Sequence, residues 1–387
     1  MKILFLNYEY PPIGGGASTA TEAILKEWAK LPDIEAHLIT SGVGSSYERV
    51  HLGGKVFVHR VPIGKDQTKL HSQSIKDLLV YSWKALWFAR TLVRQEHGKK
   101  RFDATLAFFT VPCGFIAYLL KLCYGIPYAV SLRGADVPGF SEKYDRFAFA
   151  LKPLVWFLWK QAIAVIPNSL GIMELARKTS GRQLMTIIEN GVDTELFCPE
   201  RELMKPDVPV IFVSTSRLTP RKGIDTLIRA FAAAKKRSEV PMELRIVGEG
   251  EQREVLERLA DELGVGKDID FIGRVEHEHL PEAYRSAHVF VLPSKNEGMS
   301  NSALEALACG LPLIVSGTGG MQELVSNGAN GFFVDPDDTE AFADALLRFV
   351  TDRDIVAAYG TESRRRAEAR SWRAVADRFS DVIADHL

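Results

Sequence analysis

Residues 210–223 read VIFVSTSRLTPRKG, and residues 289–305 read VFVLPSKNEGMSNSALE. In each stretch a short apolar run of strand character is followed by charged or polar residues and then by the start of a helix. Arg217 and Lys222 follow the first run, and Glu297 and Glu305 follow the second. Alternating strands and helices predict a parallel sheet, which binds ligands at the carboxyl ends of its strands. We therefore expect these four charged residues at one edge of a sheet.

The four charges suit a sugar nucleotide. Arginine and lysine bind the oxygens of a diphosphate, and a carboxylate accepts hydrogen bonds from ribose hydroxyls. Gly298 permits close approach of the backbone, and the first N–H groups of the following helix favour an anion. Helical side chains lean toward the helix N-terminus, so Glu305 can reach a ligand held there. A solvated basic loop, with Ser300 or Asn301 as a simple helix cap, is the alternative. The combination favours glycosyl transfer.

The composition is that of an ordinary globular protein with two domains. The chain has 387 residues, of which 46% are hydrophobic and 25% charged. Its net charge of −1 gives no reason to expect nucleic acid as a partner. Residues 1–200 contain 24 Lys and Arg against 18 Asp and Glu. This basic half suits an anionic acceptor or membrane surface, although uneven surface charge explains it equally well.

The sequence predicts a cytoplasmic protein. Its four cysteines show no C-x-x-C spacing, so reduced thiols are expected. The apolar run at the N-terminus is interrupted at Asn7, which argues against a signal peptide. No stretch reaches the ~20 apolar residues of a spanning helix.

The pattern predicts two doubly wound α/β domains. We expect an N-terminal domain over 1–198, a second domain over 199–370 and a C-terminal amphipathic helix over 371–387, with a linker at Phe197–Val208. Strands are expected near 2–8, 35–40, 55–61, 103–108, 127–132, 162–166, 185–188, 210–215, 242–247, 268–273, 288–292, 312–316 and 332–334. Helices are expected near 17–31, 72–96, 113–124, 143–160, 169–179, 223–236, 250–263, 279–286, 300–309, 320–326 and 338–350.

A glycine-rich segment, residues 11–18, follows the first strand. Its glycines would allow backbone amides to approach a phosphate or a sugar. A dinucleotide-binding loop is disfavoured, because the second strand ends as HLITSG (37–42) without the acidic residue that would hold an NAD ribose. Similar turns, Gly248–Gly250 and Gly273–Val275, either line the nucleobase side of the pocket or are simple strand-end turns.

No metal site is expected. Asp268 and Asp270 form a D-x-D at the start of a strand, the wrong end for this site, and are interpreted as structural. His277 and His279 fall in a charged surface turn, and the two cations already supply positive charge for a diphosphate. Aromatic and basic residues interleave over 143–161 and 82–94, which fits either an interfacial helix or a core helix with snorkelling ends.

The chain resembles family 4 of the retaining nucleotide-sugar glycosyltransferases, which have the GT-B fold. The resemblance spans almost the whole chain. It rests on YEYPPIGGG (8–16), NGVD (190–193), SRL with Lys222-Gly223, residues 297–305 and GFFV (331–334). It implies two Rossmann-like domains facing across a cleft, with the C-terminal helix crossing back to the first domain.

The resemblance also implies roles for individual residues. Arg217 and Lys222 would bind the diphosphate, Glu305 the ribose, and Glu297 the transferred sugar. Arg217, Lys222, Glu297 and Asp136 would be catalytic. The donor site would also contain Gly15, Gly16, Gly248, Arg274, Val275, Gly298, Met299, Ser300 and Asn301. Arg133 and Asp136 would bind the acceptor, together with loops 43–54, 64–72 and 134–146, and no metal or other cofactor is implied.

One position departs from the family pattern. Many members have a histidine where this chain has Arg133, so an imidazole is not supplied there. Asp136 is expected to orient the acceptor or the sugar instead. Retention is expected to come from front-face attack, in which the leaving diphosphate helps to take the acceptor proton.

A UDP-linked sugar is the expected donor, since UDP is the family's commonest case. A saccharide or lipid-linked saccharide of cell-surface polysaccharide or glycolipid assembly is the expected acceptor, with peripheral contact to the inner face of the membrane. The alternatives are a small soluble acceptor, a GT-B sugar-nucleotide epimerase, or an inactive scaffold. A scaffold would have lost Arg217, Lys222 or Glu305, and all three are present.

Overall fold

The computed structural model describes residues 1–65, 70, 73–95, 101–140, 145–181, 183–199 and 209–387, with the backbone alone for 145–150. These residues form two compact units, one comprising Met1–Asn190 with Trp372–Leu387 and the other Gly191–Ser371. The first unit ends at Asn190, before the boundary expected at residue 198. The reason is that Phe197, placed by the sequence in the linker, is buried in the core of the second unit. Residues 200–208 of that linker lie outside the described residues.

The first unit is built on one sheet of seven strands. The strands are β1 (Lys2–Leu6), β2 (Glu35–Gly42), β3 (Glu48–Gly53), β4 (Lys55–Pro62), β5 (Ala104–Phe108), β6 (Tyr128–Leu132) and β7 (Ala164–Pro167). They lie in the order β3-β4-β2-β1-β5-β6-β7, and all pairs are parallel except β3 with β4. The helices are α1 (Gly16–Trp28), α2 (Ile75–Gln95), α3 (Phe115–Tyr124), α4 (Asp145–Gln161), α5 (Leu170–Ser180) and, at the C-terminus, α13 (Trp372–Ala384).

The central strands of this sheet are apolar because helices cover both faces. Every residue of β1, β5 and β6 is buried. The C-terminal helix α13 completes this unit: the indole Nε1 of Trp28 on α1 donates to the carbonyl oxygen of Ala376 at 3.1 Å. The ring of Phe379 lies 5.8 Å from that of Phe108 on β5. The expected return of the C-terminal helix to the first domain is confirmed.

The second unit has a six-stranded parallel sheet. Its strands are β8 (Val210–Thr215), β9 (Met242–Val247), β10 (Ile269–Gly273), β11 (Val289–Leu292), β12 (Leu313–Ser316) and β13 (Gly331–Val334). They lie in the order β10-β9-β8-β11-β12-β13. The helices are α6 (Ile224–Lys236), α7 (Arg253–Glu262), α8 (Leu280–Arg285), α9 (Asn301–Ala308), α10 (Met321–Leu324), α11 (Thr339–Thr351) and α12 (Asp354–Glu368). All six predicted strands of this half are confirmed to within one residue at either end.

Three local predictions were wrong. Residues 185–188 are not a strand: Thr186 and Ile188 donate backbone hydrogen bonds to the β7 carbonyls, but the segment does not join the sheet as a ladder. Part of the expected loop 43–54 is the edge strand β3. Its residues are mostly exposed and polar, so the sequence does not show the alternation of apolar and polar residues that is typical of a strand. Helix α12 was missed because it buries chiefly Gly360, Ser363 and Ala367 rather than a large apolar stripe.

A chain of polar side chains crosses the edge of the first sheet and contains two buried histidines, His37 and His59. Tyr47 Oη lies 2.8 Å from His59 Nδ1, and His59 Nε2 lies 3.0 Å from His37 Nδ1. His37 Nε2 is in turn 3.2 Å from Glu35 Oε1. If Tyr47 donates to His59, each neutral imidazole carries its hydrogen on Nε2 and donates to the next acceptor. Protonation of His59 would place a second hydrogen against Tyr47 and disrupt the chain.

We expect this chain of hydrogen bonds to make stability depend on pH. Burial, and then the charges of His37 and Arg49, lower the pKa of His59 from 6.5 to about 3. Between these values the unfolded state binds more protons, so the free energy of unfolding falls as the pH drops from 6.5 toward 3. Over this whole pH range, the free energy of unfolding is expected to fall by roughly 4–5 kcal/mol. Urea unfolding at pH 7, 6, 5 and 4 measures the decline.

A non-titrating variant isolates the contribution of His59. His59→Gln should show a shallower loss of stability with acid than the wild type. His279→Gln, at an exposed surface histidine, should keep the wild-type slope. Equal slopes for His59→Gln and the wild type would contradict the prediction.

Candidate active site

The loops after β8, β9, β11 and β12 meet at the carboxyl edge of the second sheet, because these four strands are neighbours. The β8 loop contains Arg217 and Lys222, and the β11 loop contains Glu297. The backbone N–H of Lys295 donates to the carbonyl of Arg221 at 2.9 Å, which ties the two loops together. The structure therefore brings together Lys222 and Glu297, which are 75 positions apart in sequence.

The centre of this edge is an ion pair between Lys222 and Glu297. The Lys222 ammonium donates to Glu297 Oε1, which also accepts from the Ser294 hydroxyl at 2.8 Å. The two charged side chains are 12% and 9% exposed. Burial by itself raises the pKa of Glu297, but the charges of Lys222 and Arg221 and these hydrogen bonds bring it below its usual value. Glu297 is thus an anion held beside a cation, in a partly dry site.

The other predicted groups lie in the loops and helix that follow the same strands, β8 and β11. Arg217 is exposed at the end of β8. Ser300 is the N-cap of α9, since its hydroxyl accepts from the N–H of Ala303 at 3.3 Å, and Asn301 is the first helical residue. Met299 is buried beneath the loop. The first N–H groups of α9 therefore share their edge of the sheet with the ion pair.

Glu305 lies one turn further along α9 and is buried. Its Oε2 accepts from the Tyr284 hydroxyl at 2.8 Å, and its Oε1 lies 3.2 Å from His277 Nε2. Burial, then the charge of Glu305, raises the pKa of Tyr284 well above its usual value, so this phenol stays a donor. The sequence pattern predicts a surface turn at His277 and gives no sign of its contact with Glu305.

A loop that the sequence analysis did not single out supports Glu297. Residues 317–320 follow β12 and read GTGG. The N–H of Gly320 donates to the carbonyl of Gly298 at 2.6 Å, and the Thr318 hydroxyl donates to the carbonyl of Ser294 at 3.2 Å. Gly319 has φ +58°, and a Cβ there would overlap the carbonyl oxygen of Glu297. In the sequence, the glycine-rich run directly after an apolar strand could have indicated that this loop belongs to the site.

The turns after β9 and β10 also pack against the site. The N–H of Gly248 donates to the carbonyl of Gly273 at 2.8 Å. Gly248 has φ +138°, and a Cβ there would overlap the carbonyl oxygen of Ser216, beside Arg217. Arg274 is largely exposed and pairs with Glu276 at 3.3 Å, and Val275 is half-buried. Close packing therefore requires Gly248, whatever its part in binding a nucleobase.

In the first unit, the glycine loop has an internal partner. The Gly15 N–H donates to Glu9 Oε2 at 3.3 Å, and α1 begins at Gly16. A protein carboxylate thus contacts the backbone amide that was expected to approach a phosphate or sugar. That Gly15 and Gly16 bind the donor stays a prediction.

Arg133 and Asp136 are held by their own unit. Asp136 accepts from the N–H and hydroxyl of Thr110 at 2.8 and 2.9 Å and from the N–H of Arg133 at 3.0 Å. The Arg133 guanidinium donates to Asn190 Oδ1 at 2.7 Å and lies 3.6 Å from the centre of the Phe108 ring. Its Nε and Nη2 atoms are buried. Burial raises the pKa of Asp136, and burial lowers that of Arg133 to about 9. These contacts organise the loops after β5 and β6.

One of the two aspartates of the D-x-D has a partner within the protein. Asp268, directly before β10, pairs with Lys235 at 2.6 Å. Within the described part of the chain, no three His, Cys, Asp or Glu side chains are grouped so that they could hold a metal ion.

Two Rossmann-like domains, one on a mainly parallel and one on a wholly parallel sheet, are the architecture of the GT-B fold. The family described as glycosyl transferases group 1 matches residues 200–370. Solved structures with the same fold include sucrose-phosphate synthase from Thermosynechococcus elongatus (TM-score 0.84, 23% identity, 100% of this chain and 98% of that chain). HepE from Anabaena in complex with UDP is another (TM-score 0.74, 19% identity, 100% of each chain).

Curated relatives agree with this family. A GDP-mannose-dependent alpha-(1-6)-phosphatidylinositol monomannoside mannosyltransferase of Mycolicibacterium smegmatis is 36% identical over 211 residues, 50% of this chain and 54% of that protein. An uncharacterized glycosyltransferase of Methanocaldococcus jannaschii is 29% identical over 373 residues, 91% of this chain and 90% of that protein. The match to the mannosyltransferase thus spans about half the length of each protein. Residues 200–370 thus match the group 1 glycosyl transferases, and the chain over almost its whole length is similar to glycosyltransferases of the GT-B fold.

Proposed function

We propose that the protein is a retaining glycosyltransferase that moves a sugar from a nucleoside diphosphate to a saccharide or lipid-linked saccharide. The observation that supports this most is the Lys222–Glu297 pair, set beside Arg217 and the α9 N-terminus. In this assignment Arg217 and Lys222 bind the diphosphate and Glu297 binds the transferred sugar. Glu305 binds the ribose.

The chemistry follows from these assignments. The bond between the anomeric carbon and the diphosphate oxygen breaks, and the acceptor oxygen bonds to the same face of that carbon. The acceptor proton passes to the leaving diphosphate, whose growing negative charge is stabilised by Arg217 and Lys222. Glu297, ionised through its contact with Lys222, accepts hydrogen bonds from the sugar hydroxyls. Asp136 keeps the loops after β5 and β6 in place. Retention is checked by NMR assignment of the anomeric configuration of the product against that of the donor.

The nucleotide base expected from the sequence differs from the base in the name of one relative. A UDP-linked sugar was expected, and HepE was solved with UDP. The M. smegmatis relative is named for GDP-mannose. Its higher identity supports GDP-mannose as a donor to be tested beside UDP-sugars.

The acceptor proposal draws on two relatives. One is named for a phosphatidylinositol monomannoside, which supports a lipid-linked acceptor. Another, from Corynebacterium jeikeium, is named a D-inositol 3-phosphate glycosyltransferase and is 33% identical over 207 residues, 49% of each protein. That name favours a small soluble acceptor as the second candidate.

We expect one nucleoside diphosphate to bind without a metal. Calorimetry with UDP, GDP and ADP, each with and without a chelator, measures this directly. A chelator should leave the affinity unchanged, because the protein's own cations neutralise the diphosphate. If the chelator abolished binding and a divalent metal restored it, the prediction of metal-independent binding would be contradicted. If none of the three nucleotides bound, the proposed donor site would be contradicted.

The surface of α2 supports a peripheral contact with an anionic membrane from the cytoplasmic side. Four large apolar side chains, spaced four residues apart, form an exposed stripe: Ile75, Leu79, Trp83 and Trp87 are 61%, 66%, 66% and 50% exposed. The opposite face packs into the core through Tyr81, Ala85 and Ala89. Four cations accompany the stripe on the same helix, Lys76, Lys84, Arg90 and Arg94. An apolar stripe with flanking cations suits the interface of anionic lipids. None of the described helices is long and apolar enough to cross a membrane.

We expect the double variant Trp83→Ser, Trp87→Ser to bind vesicles containing phosphatidylglycerol about tenfold or more weakly than the wild type, because both indoles leave the interface. Cosedimentation measures this, with neutral phosphatidylcholine vesicles as the reference. Leu184→Ser is the control, since Leu184 is an apolar residue that is 93% exposed and lies outside both α2 and α4. Equal binding by the double variant and the wild type would exclude the α2 surface.

A further inference from the structure

The ring of His277 is held directly over the buried carboxylate of Glu305. Its Nε2 lies 3.2 Å from Glu305 Oε1. A carboxylate oxygen only accepts, so Nε2 carries the hydrogen and donates. His277 is 52% exposed although Glu305 is buried, so the imidazole forms the outer boundary of this carboxylate.

Glu305 is held at both oxygens. The Tyr284 hydroxyl donates to Oε2 at 2.8 Å while His277 faces Oε1. Each carboxylate oxygen has two acceptor positions, so two donors from the protein leave capacity for two ligand hydroxyls. With both oxygens engaged, the rotamer of Glu305 is set before any ligand arrives.

The position of His277 is itself fixed by packing. The ring of Phe197 meets the His277 ring edge to face at 5.2 Å and the Tyr284 ring at 6.0 Å. The backbone around Phe197 is anchored by two arginines. Arg364 donates to the Phe197 carbonyl at 2.9 Å, and Arg285 donates to the Cys198 carbonyl at 2.8 Å. His277, Tyr284 and Glu305 are therefore one rigid arrangement rather than a chance surface contact.

We propose that His277 is a positioning residue for the donor's ribose, acting through Glu305. This rests on the proposed function, in which Glu305 binds the ribose hydroxyls. His277 donates to one carboxylate oxygen and so aims the remaining acceptor positions at the two hydroxyls. Loss of the imidazole frees the carboxylate to rotate, which weakens ribose recognition without altering the diphosphate contacts of Arg217 and Lys222.

The test compares nucleotides that differ only in the ribose. UDP and GDP are titrated against their 2′,3′-dideoxy forms, with wild type, His277→Phe and His277→Gln. Phenylalanine keeps the packing against Phe197 but cannot donate, whereas glutamine can donate. His279→Phe is the matched control, because His279 is exposed and pairs with Glu278 instead.

We expect His277→Phe to weaken binding of the ribonucleotide about tenfold, as for a hydrogen bond to a charged group, and to leave the dideoxy nucleotide unaffected. His277→Gln should recover most of the loss, and in transfer assays the KM for the donor should rise while kcat changes little.

Three outcomes would overturn the inference. Equal weakening of both nucleotides by His277→Phe would show a general structural role, and unchanged binding of both would show no role. If the wild type binds no nucleotide, the proposed function fails and the inference with it. Binding by the wild type with no effect of His277→Phe rejects the inference alone.

Discussion

Lys222→Ala is expected to lower the rate of sugar transfer by about 10²–10³-fold, equivalent to about 2.7–4 kcal/mol, the loss found when one preorganised charge-stabilising donor is removed. Lys222 supplies the partly buried positive charge nearest to Glu297. Without it, the leaving diphosphate loses a stabilising cation, and Glu297 is left with the hydrogen bond from Ser294 and the charge of Arg221. Single-turnover kinetics with saturating donor measures the chemical step.

The same substitution leaves a buried carboxylate without its cation, so stability must be separated from catalysis. Removing one partner of a buried ion pair typically costs about 3–5 kcal/mol of stability, and these side chains are slightly solvated, which reduces the cost. The double variant Lys222→Ala, Glu297→Gln removes the unpaired charge and should recover stability but not activity.

Lys236→Ala provides the matched control at an exposed lysine of α6 and should behave as the wild type. Near-normal turnover in Lys222→Ala would refute the site, and so would turnover regained in the double variant.

Gly319→Ala is expected to reduce transfer by about 10²-fold or more, since displacements near 1 Å in a catalytic site can have this effect. The new Cβ would overlap the carbonyl oxygen of Glu297, and the loop that holds Glu297 must move. The carboxylate would then lose its alignment with Lys222 and Ser294. Steady-state kinetics and nucleotide calorimetry both report the change.

The matched control for Gly319→Ala is Gly264→Ala in the same unit. Gly264 also has a positive φ, +75°, but no atom lies within 4 Å of an added Cβ. Both variants carry the cost of alanine in a left-handed conformation, roughly 1–3 kcal/mol. Only Gly319→Ala adds the displacement of Glu297. Equal activities of the two variants would show that backbone strain, rather than the contact with Glu297, matters.

The fold followed from the sequence most closely where strands are buried on both faces. Runs such as Val210–Thr215 and Val289–Leu292 are continuously apolar, because a parallel sheet covered by helices leaves no polar face. Edge strand β3 and helix α12 were missed for the opposite reason: their residues are mostly polar or small and bury little surface. The domain boundary was misplaced because the burial of Phe197 is decided by contacts made far along the chain.

By itself the sequence determined the class of this protein, through apolar periodicity and through cations and carboxylates placed at strand ends. Only the tertiary structure decided the partners of those charges. It paired Lys222 with Glu297, placed His277 over Glu305, set Gly319 against the Glu297 backbone and enclosed Arg133. The physical reason is that periodicity records which face of an element is buried, a local property. Contacts between strand-end loops depend instead on the order of strands in the sheet, which brings together residues remote in sequence.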